Sequence, residues 1–141
     1  SANSNKPMLI AHADNLSFFS LNQFIEAYQT RPDSCDITMM TFKTQNPESC
    51  GIVQVNSDNV VTAFMEKPSK PLGNLANGAV YIVSPKGLVE ILGLGSATDI
   101  SCDILPKFIF RINTWHNSIY HRDIGTPKSF YEAQVDWKNF Y

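Results

Sequence analysis

Apolar positions along the chain fall either in short runs or at helical spacing, and the two patterns take turns. Met8 to Ala13 is an apolar run that predicts a short strand buried on both faces, ending at Asp14 and Asn15. Leu21, Phe24, Ile25 and Tyr28 then recur at helical spacing behind Ser20, a good N-cap, and Pro32-Asp33-Ser34 ends that helix. "DITMMTF" is rich in β-branched and large apolar residues and predicts a second strand. Ile52–Val55 and Val60–Phe64 flank the turn-forming Asn56-Ser57-Asp58-Asn59, the signature of a β-hairpin. "KPSKPLGNLA" is broken by Pro68, Pro71 and Gly73 and predicts a loop, after which "NGAVYIVS" is again an apolar strand. Pro85 suits the first turn of a helix over "PKGLVEIL", ended by Gly93 and Gly95. "DISCDILPKFIF" predicts helix in two pieces around Pro106, and "NSIYHRD" a last strand. "TPKSFYEAQVDWKNF" predicts a final helix, capped by Thr126 with Pro127 at its first position.

Strands alternating with helices predict an α/β fold: a mostly parallel sheet covered on both faces, with an antiparallel hairpin inserted. Ligands of such sheets bind beyond the carboxyl ends of the strands, so strand ends are where chemistry is expected. Asp14 follows the first strand and Asp123 the last. Glu66 and Lys67 leave the second arm of the hairpin, and Asn77 opens the strand after the loop. Two carboxylates at two strand ends suit Mg²⁺, which takes one or two carboxylates together with phosphate oxygens and water. Each Asp equally suits a turn or a helix cap, and spacing does not show that the two meet. In "FMEKPSKP" the Glu accepts from hydroxyls and the Lys is a point charge for phosphate, while a solvated surface pair is the plainer reading of any one such dipeptide.

Composition narrows the classes. With 141 residues, 43% hydrophobic and 17% charged, the chain is the size of one domain and can bury a core. A formal net charge of −2 without a Lys/Arg run argues against nucleic acid as the main partner. No apolar run nears the roughly 20 residues that span a bilayer, and no signal peptide is visible. Cys35, Cys50 and Cys102 are odd in number and widely spaced, which fits reduced thiols and a cytoplasmic location better than a disulfide framework.

Taken in order, "HADN", "CGIVQVNSDNVVTAFMEKP", "NGAVYIVSP", "DILPKF" and "HRDIGTPKSFYEAQ" resemble the sugar-1-phosphate nucleotidylyltransferases over roughly Met8 to Gln134. "NGAVY" and "HRDIGTP" look most like the branch that guanylylates mannose or heptose 1-phosphates. The resemblance implies a Rossmann-like three-layer α/β/α fold. It also implies an enzyme that transfers a nucleoside monophosphate, GMP in this branch, from the triphosphate (GTP) to a sugar 1-phosphate, with Mg²⁺ as cofactor. Carried over residue by residue, it implies that Asp14 and Asp123 hold the metal. Gly51, Glu66 and Asn77 would contact the sugar, and Lys67 the sugar phosphate. Thr126 would orient the loop behind Asp123. His121 and Arg122 stand beside these positions, with strand packing as an equal alternative to phosphate contact.

The family's Gly-rich G-G-x-G-T-R loop, which cradles a triphosphate on backbone N–H groups, has no counterpart here. The nearest match, "GLGS" at Gly93 to Ser96, follows a helix and carries no Arg or Lys. The expectation is a fragment: a tag-like lead over residues 1–6, then the sugar-phosphate part of an incomplete nucleotidyltransferase domain over 7–141, inactive alone. A non-catalytic regulatory or assembly module with the same fold is the alternative. An uncovered edge at Met8 to Ala13 would favour homo-oligomers or edge-strand dimers. Sugar selection is expected from the loop around Leu72 to Asn77.

Overall fold

The structure is a computed structural model and describes residues 5–138. Its strands are β1 (Met8–Ala11), β2 (Asn15–Phe18), β3 (Ile37–Lys43), β4 (Gly51–Val55), β5 (Val61–Glu66), β6 (Leu75–Val83), β7 (Ile112–His116) and β8 (Tyr120–Asp123). Its α-helices are α1 (Leu21–Gln29), α2 (Pro85–Gly93) and α3 (Pro127–Trp137). The last predicted helix residues, Asn139 and Phe140, lie outside the described residues, as do residues 1–4 of the predicted polar lead.

Local signals place the helices as predicted. Ser20 accepts from the Gln23 N–H, Ser84 from Gly87 and Thr126 from Ser129, each satisfying a donor that a helix start leaves without a partner. The main sheet runs β5-β4-β6-β3-β7, with β1 on the C-terminal half of the β6 edge whose N-terminal half pairs with β4. Side chains alternate across it. Ile37, Met39, Tyr81 and Val83 face one way, into a core closed by Leu88 and Ile91 of α2 and by Leu105 and Phe108. Met40, Val80 and Ile82 face the other way, onto Phe24 and Tyr28 of α1. Arg111 fastens these layers: its Nη2 donates to Asp36 at 2.6 Å and to Glu90 at 2.6 Å, and Asp36 also accepts from Ser84, the α2 cap.

The α/β architecture and the inserted hairpin are as expected, and the sheet is mixed. Among the described pairs only β3–β7 is parallel. β6 runs antiparallel to all three strands it pairs with, β1, β3 and β4. Several local expectations are corrected. β1 is half-exposed rather than buried on both faces (Met8 48%, Leu9 52%), because among the described residues β6 covers only one of its edges. Asn77 lies inside β6, not at its start. The predicted two-piece helix is a π turn over Ile100–Ile104 and a 3₁₀ turn over Leu105–Phe108, with the break ahead of Pro106. β7 and β2 were not foreseen. β8 is not part of the main sheet at all: it pairs with β2 in a separate antiparallel ribbon, covered by α3 through Trp137 on Phe18.

Candidate functional site

That ribbon builds the first half of the site. Its register sets Asn15 opposite Asp123, so Asp14, one residue before β2, meets the end of β8. The Asp14 carbonyl accepts from the Ile124 N–H at 2.8 Å, and Asp123 Oδ1 accepts from the Gly125 N–H at 2.7 Å. A Cβ on Gly125 would lie 3.0 Å from Asp123 Oδ1 and 3.6 Å from Asp14 Oδ2, so both carboxylates flank one point.

The hairpin and β6 build the second half. Gly51 pairs with Glu66 across β4–β5. A side chain at Gly51 would meet the Phe64 ring at 2.8 Å and Glu66 Oε2 at 2.9 Å, so the carboxylate comes close only because residue 51 is glycine. Lys67 donates its N–H to the Cys50 carbonyl at 3.1 Å and then turns left-handed, at φ 44°. In β6 the register with β3 shifts between Met39 and Thr41. Gly78 allows the bulge, since a Cβ there would come within 2.6 Å of Met40 Cε. Asn77 Oδ1 accepts from the N–H of Ala79, itself left-handed at φ 53°, and Asn77 Nδ2 donates to the Tyr81 hydroxyl at 2.7 Å. Burial pushes the pKa of that hydroxyl well up, with nearby Glu66 and Asp99 adding to the shift, so Tyr81 stays protonated.

All the predicted residues, Asp14, Gly51, Glu66, Lys67, Asn77 and Asp123, line one cleft of about 280 Å³. His12, Asp99 and Ser101 line it too and were missed. "DISC" carried a signal for Asp99, the spacing of an N-cap, which does not say what else the side chain faces. Of Leu72 to Asn77 only Asn77 reaches this cleft, and Leu72 points to solvent. Thr126 lies in the adjoining cleft, where it caps α3.

His121 and Arg122 part ways because successive residues of β8 face opposite sides. Arg122 turns toward α3, where it donates to Asp136 and Glu132. His121 faces the cleft, its ring 4.1 Å from that of Phe42 and its Nδ1 2.7 Å from the Ser17 hydroxyl. Burial pulls its pKa down to about 4 against the pull of Asp123, so the ring is neutral at pH 7 and offers a phosphate no charge.

Asp14, Asp123, Glu66 and Lys67 form no ion pair among the described residues. The cleft gathers the carboxylates of Asp14, Asp123, Glu66 and Asp99 against Lys67, its one Lys or Arg among the described residues. A phosphate entering it meets net negative charge unless a cation enters with it. The oxygen donors fit a hard divalent ion at Asp14 and Asp123. No group of three or more His, Cys, Asp or Glu among the described residues could hold a metal, so water and phosphate oxygens would complete the shell.

The family model described as nucleotidyl transferase matches residues 1–139. A glucose-1-phosphate adenylyltransferase of Halalkalibacterium halodurans is 26% identical over 137 residues, covering 92% of this chain and 36% of the relative. A mannose-1-phosphate guanylyltransferase of Mycobacterium tuberculosis is 23% identical over 136 residues, covering 94% of this chain and 37% of the relative. The chain thus spans a little over a third of the length of these relatives. Among solved structures, HddC from Yersinia pseudotuberculosis superposes with a TM-score of 0.73 at 20% identity, covering 93% of this chain and 55% of that one. A Bacillus anthracis protein crystallised with sucrose gives the same TM-score at 15% identity. With the family model matched along nearly the whole length of the chain, the chain belongs to the nucleotidyl transferase family.

Proposed function

We propose that the cleft binds the sugar 1-phosphate in the synthesis of a nucleotide-sugar. The convergence of Asp14, Gly51, Glu66, Lys67, Asn77 and Asp123 on one cleft carries this reading. In the reaction a phosphate oxygen of the sugar 1-phosphate bonds to the α-phosphorus of a nucleoside triphosphate. The bridging P–O bond to the β-phosphate breaks, and pyrophosphate leaves with the electron pair. Such chemistry asks for positioning and charge neutralisation more than for a protein nucleophile.

Lys67 places a positive charge on the sugar phosphate, and its left-handed backbone turns the chain directly behind Glu66. Glu66 accepts from sugar hydroxyls beside the open backbone of Gly51, and Asn77 is held rigid by Ala79 and Tyr81 to meet the ring. Asp14 and Asp123 would hold Mg²⁺. When bound, that ion neutralises phosphate charge and aligns the reacting oxygens. "NGAVY" and "HRDIGTP" support GMP as the group transferred, while relatives named for adenylyl and for guanylyl transfer both match. The 141 residues contain no G-x-G-T-R loop, so turnover is proposed for an assembly that supplies a triphosphate cradle. Reduced thiols support a cytoplasmic setting, and no helix among the described residues is long and apolar enough to cross a membrane.

Calorimetric titration with mannose 1-phosphate and glucose 1-phosphate, with and without Mg²⁺, tests the proposal. Binding that strengthens with Mg²⁺ and is lost in Lys67→Ala is the expected result. No binding of either sugar phosphate under any condition overturns it and leaves a non-catalytic assembly module.

A further inference from the structure

Asp99 lies outside the residues that the family resemblance singles out, yet it lines the same cleft as Glu66, Lys67 and Asn77. It is exposed to that cleft, and its position is over-determined. Its Oδ1 accepts from the Cys102 N–H at 2.7 Å, capping the π turn. Its own N–H donates to Asp103 Oδ2 at 3.0 Å, and the Thr98 N–H donates to the same oxygen at 2.8 Å. The Cys102 thiol, its pKa raised by desolvation and then by Asp99 beside it, stays protonated and adds no negative charge there. A carboxylate accepts at about four lone-pair positions, so the cap leaves Asp99 free capacity on its open side.

What such a group accepts is decided by charge. A carboxylate accepts and does not donate, so it suits hydroxyl donors and repels phosphate and carboxylate. Asp99 and Glu66 line one cleft together with Asn77. Asn77 donates to the Tyr81 hydroxyl, so the cleft wall that carries Asp99 and Glu66 also carries a fixed amide.

We infer that Asp99 is a specificity-determining residue, accepting a hydrogen bond from a ring hydroxyl of the bound sugar and, with Glu66, selecting uncharged polyhydroxylated sugars over sugar acids. This rests on the proposed sugar 1-phosphate site. A neutral hexose offers donors to both carboxylates. A uronic acid 1-phosphate would bring a further carboxylate against them and is disfavoured before any steric difference counts. The device is rigid because Asp103 holds the Asp99 backbone, so the wall meets the sugar without reorganising.

The test compares glucose 1-phosphate with glucuronic acid 1-phosphate by calorimetry, in the wild type and in Asp99→Asn. Asparagine caps a helix start as well as aspartate does, so the π turn should persist, and circular dichroism melting checks that. Wild type should prefer the neutral sugar at least tenfold, and Asp99→Asn should narrow that ratio several-fold, mainly by admitting the acid. Equal affinity for both sugars in the wild type, or an unchanged ratio in the variant, overturns the role of Asp99 and leaves the site standing. Failure of the wild type to bind either sugar, with or without Mg²⁺, overturns the site and this inference together.

Discussion

Asp14 and Asp123, from opposite ends of the chain, flank the point where a Cβ on Gly125 would lie, with Asp123 Oδ1 hydrogen-bonded to the Gly125 N–H at 2.7 Å. The antiparallel pairing of β2 with β8 brings them there. A side chain at Gly125 would enter the gap they share. Gly125→Ala should therefore fold normally, since this glycine is not left-handed, but weaken the Mg²⁺-dependent part of sugar phosphate binding about tenfold, or roughly 1.4 kcal/mol. Titration with and without Mg²⁺ reads this, and a variant matching wild type would show that the two carboxylates do not act together.

Lys67 combines charge with an unusual backbone. Lys67→Ala should lose about ten- to a hundredfold in sugar phosphate affinity, the size of a hydrogen bond to a charged group. Lys67→Gly should lose as much, yet melt no lower than Lys67→Ala, because glycine accepts φ 44° without the ~1 kcal/mol cost a Cβ incurs. Unchanged affinity in both variants would remove Lys67 from the phosphate.

His121 sets a pH dependence. Folded, its pKa is down at about 4; unfolded, it returns to about 6.5. Between these values the unfolded chain binds the proton and the folded one does not, so stability is complete above pH 6.5 and falls as pH drops toward 4. His116, lowered by burial and then by Lys43, acts in the same direction. Melting temperature should be lower at pH 5 than at pH 7.5, and the His121 ring resonances should not move over that interval. A ring that titrates near 6.5 would contradict its packing on Phe42.

The free edge of β1 makes an association prediction. Among the described residues β1 pairs only with β6, while Met8 and Leu9 are about half exposed. Edges of this kind pair with other chains. Sedimentation should show mass rising with concentration, and Leu9→Lys should suppress the rise. A monomer at high concentration would mean that the edge is protected.

The helices were legible because each start is written within four residues. Ser20 and Thr126 cap, and Pro85 opens the middle helix, whatever their tertiary setting; the Ser84 cap just ahead of Pro85 was not read. The hairpin was legible because apolar arms flank a run of turn residues, and the candidate site residues because the family resemblance named them. β2 was not, because four half-buried residues are too few to show a period. Asp99 was not, because an N-cap pattern reads the same whether or not the capping carboxylate also faces a cleft.

Sequence alone therefore determined where the three α-helices start, that a hairpin spans the segment around Asn56–Asn59, and which polar residues follow the apolar runs. Tertiary structure decided who meets whom. It paired β2 with β8 outside the main sheet, set β6 antiparallel to β1, β3 and β4, and turned Arg122 to α3 while His121 faced the cleft. Caps and periodicity depend on neighbours a few residues away. Strand pairing depends on which distant edges bury apolar surface and satisfy backbone groups together, and that is settled only when the whole chain has folded.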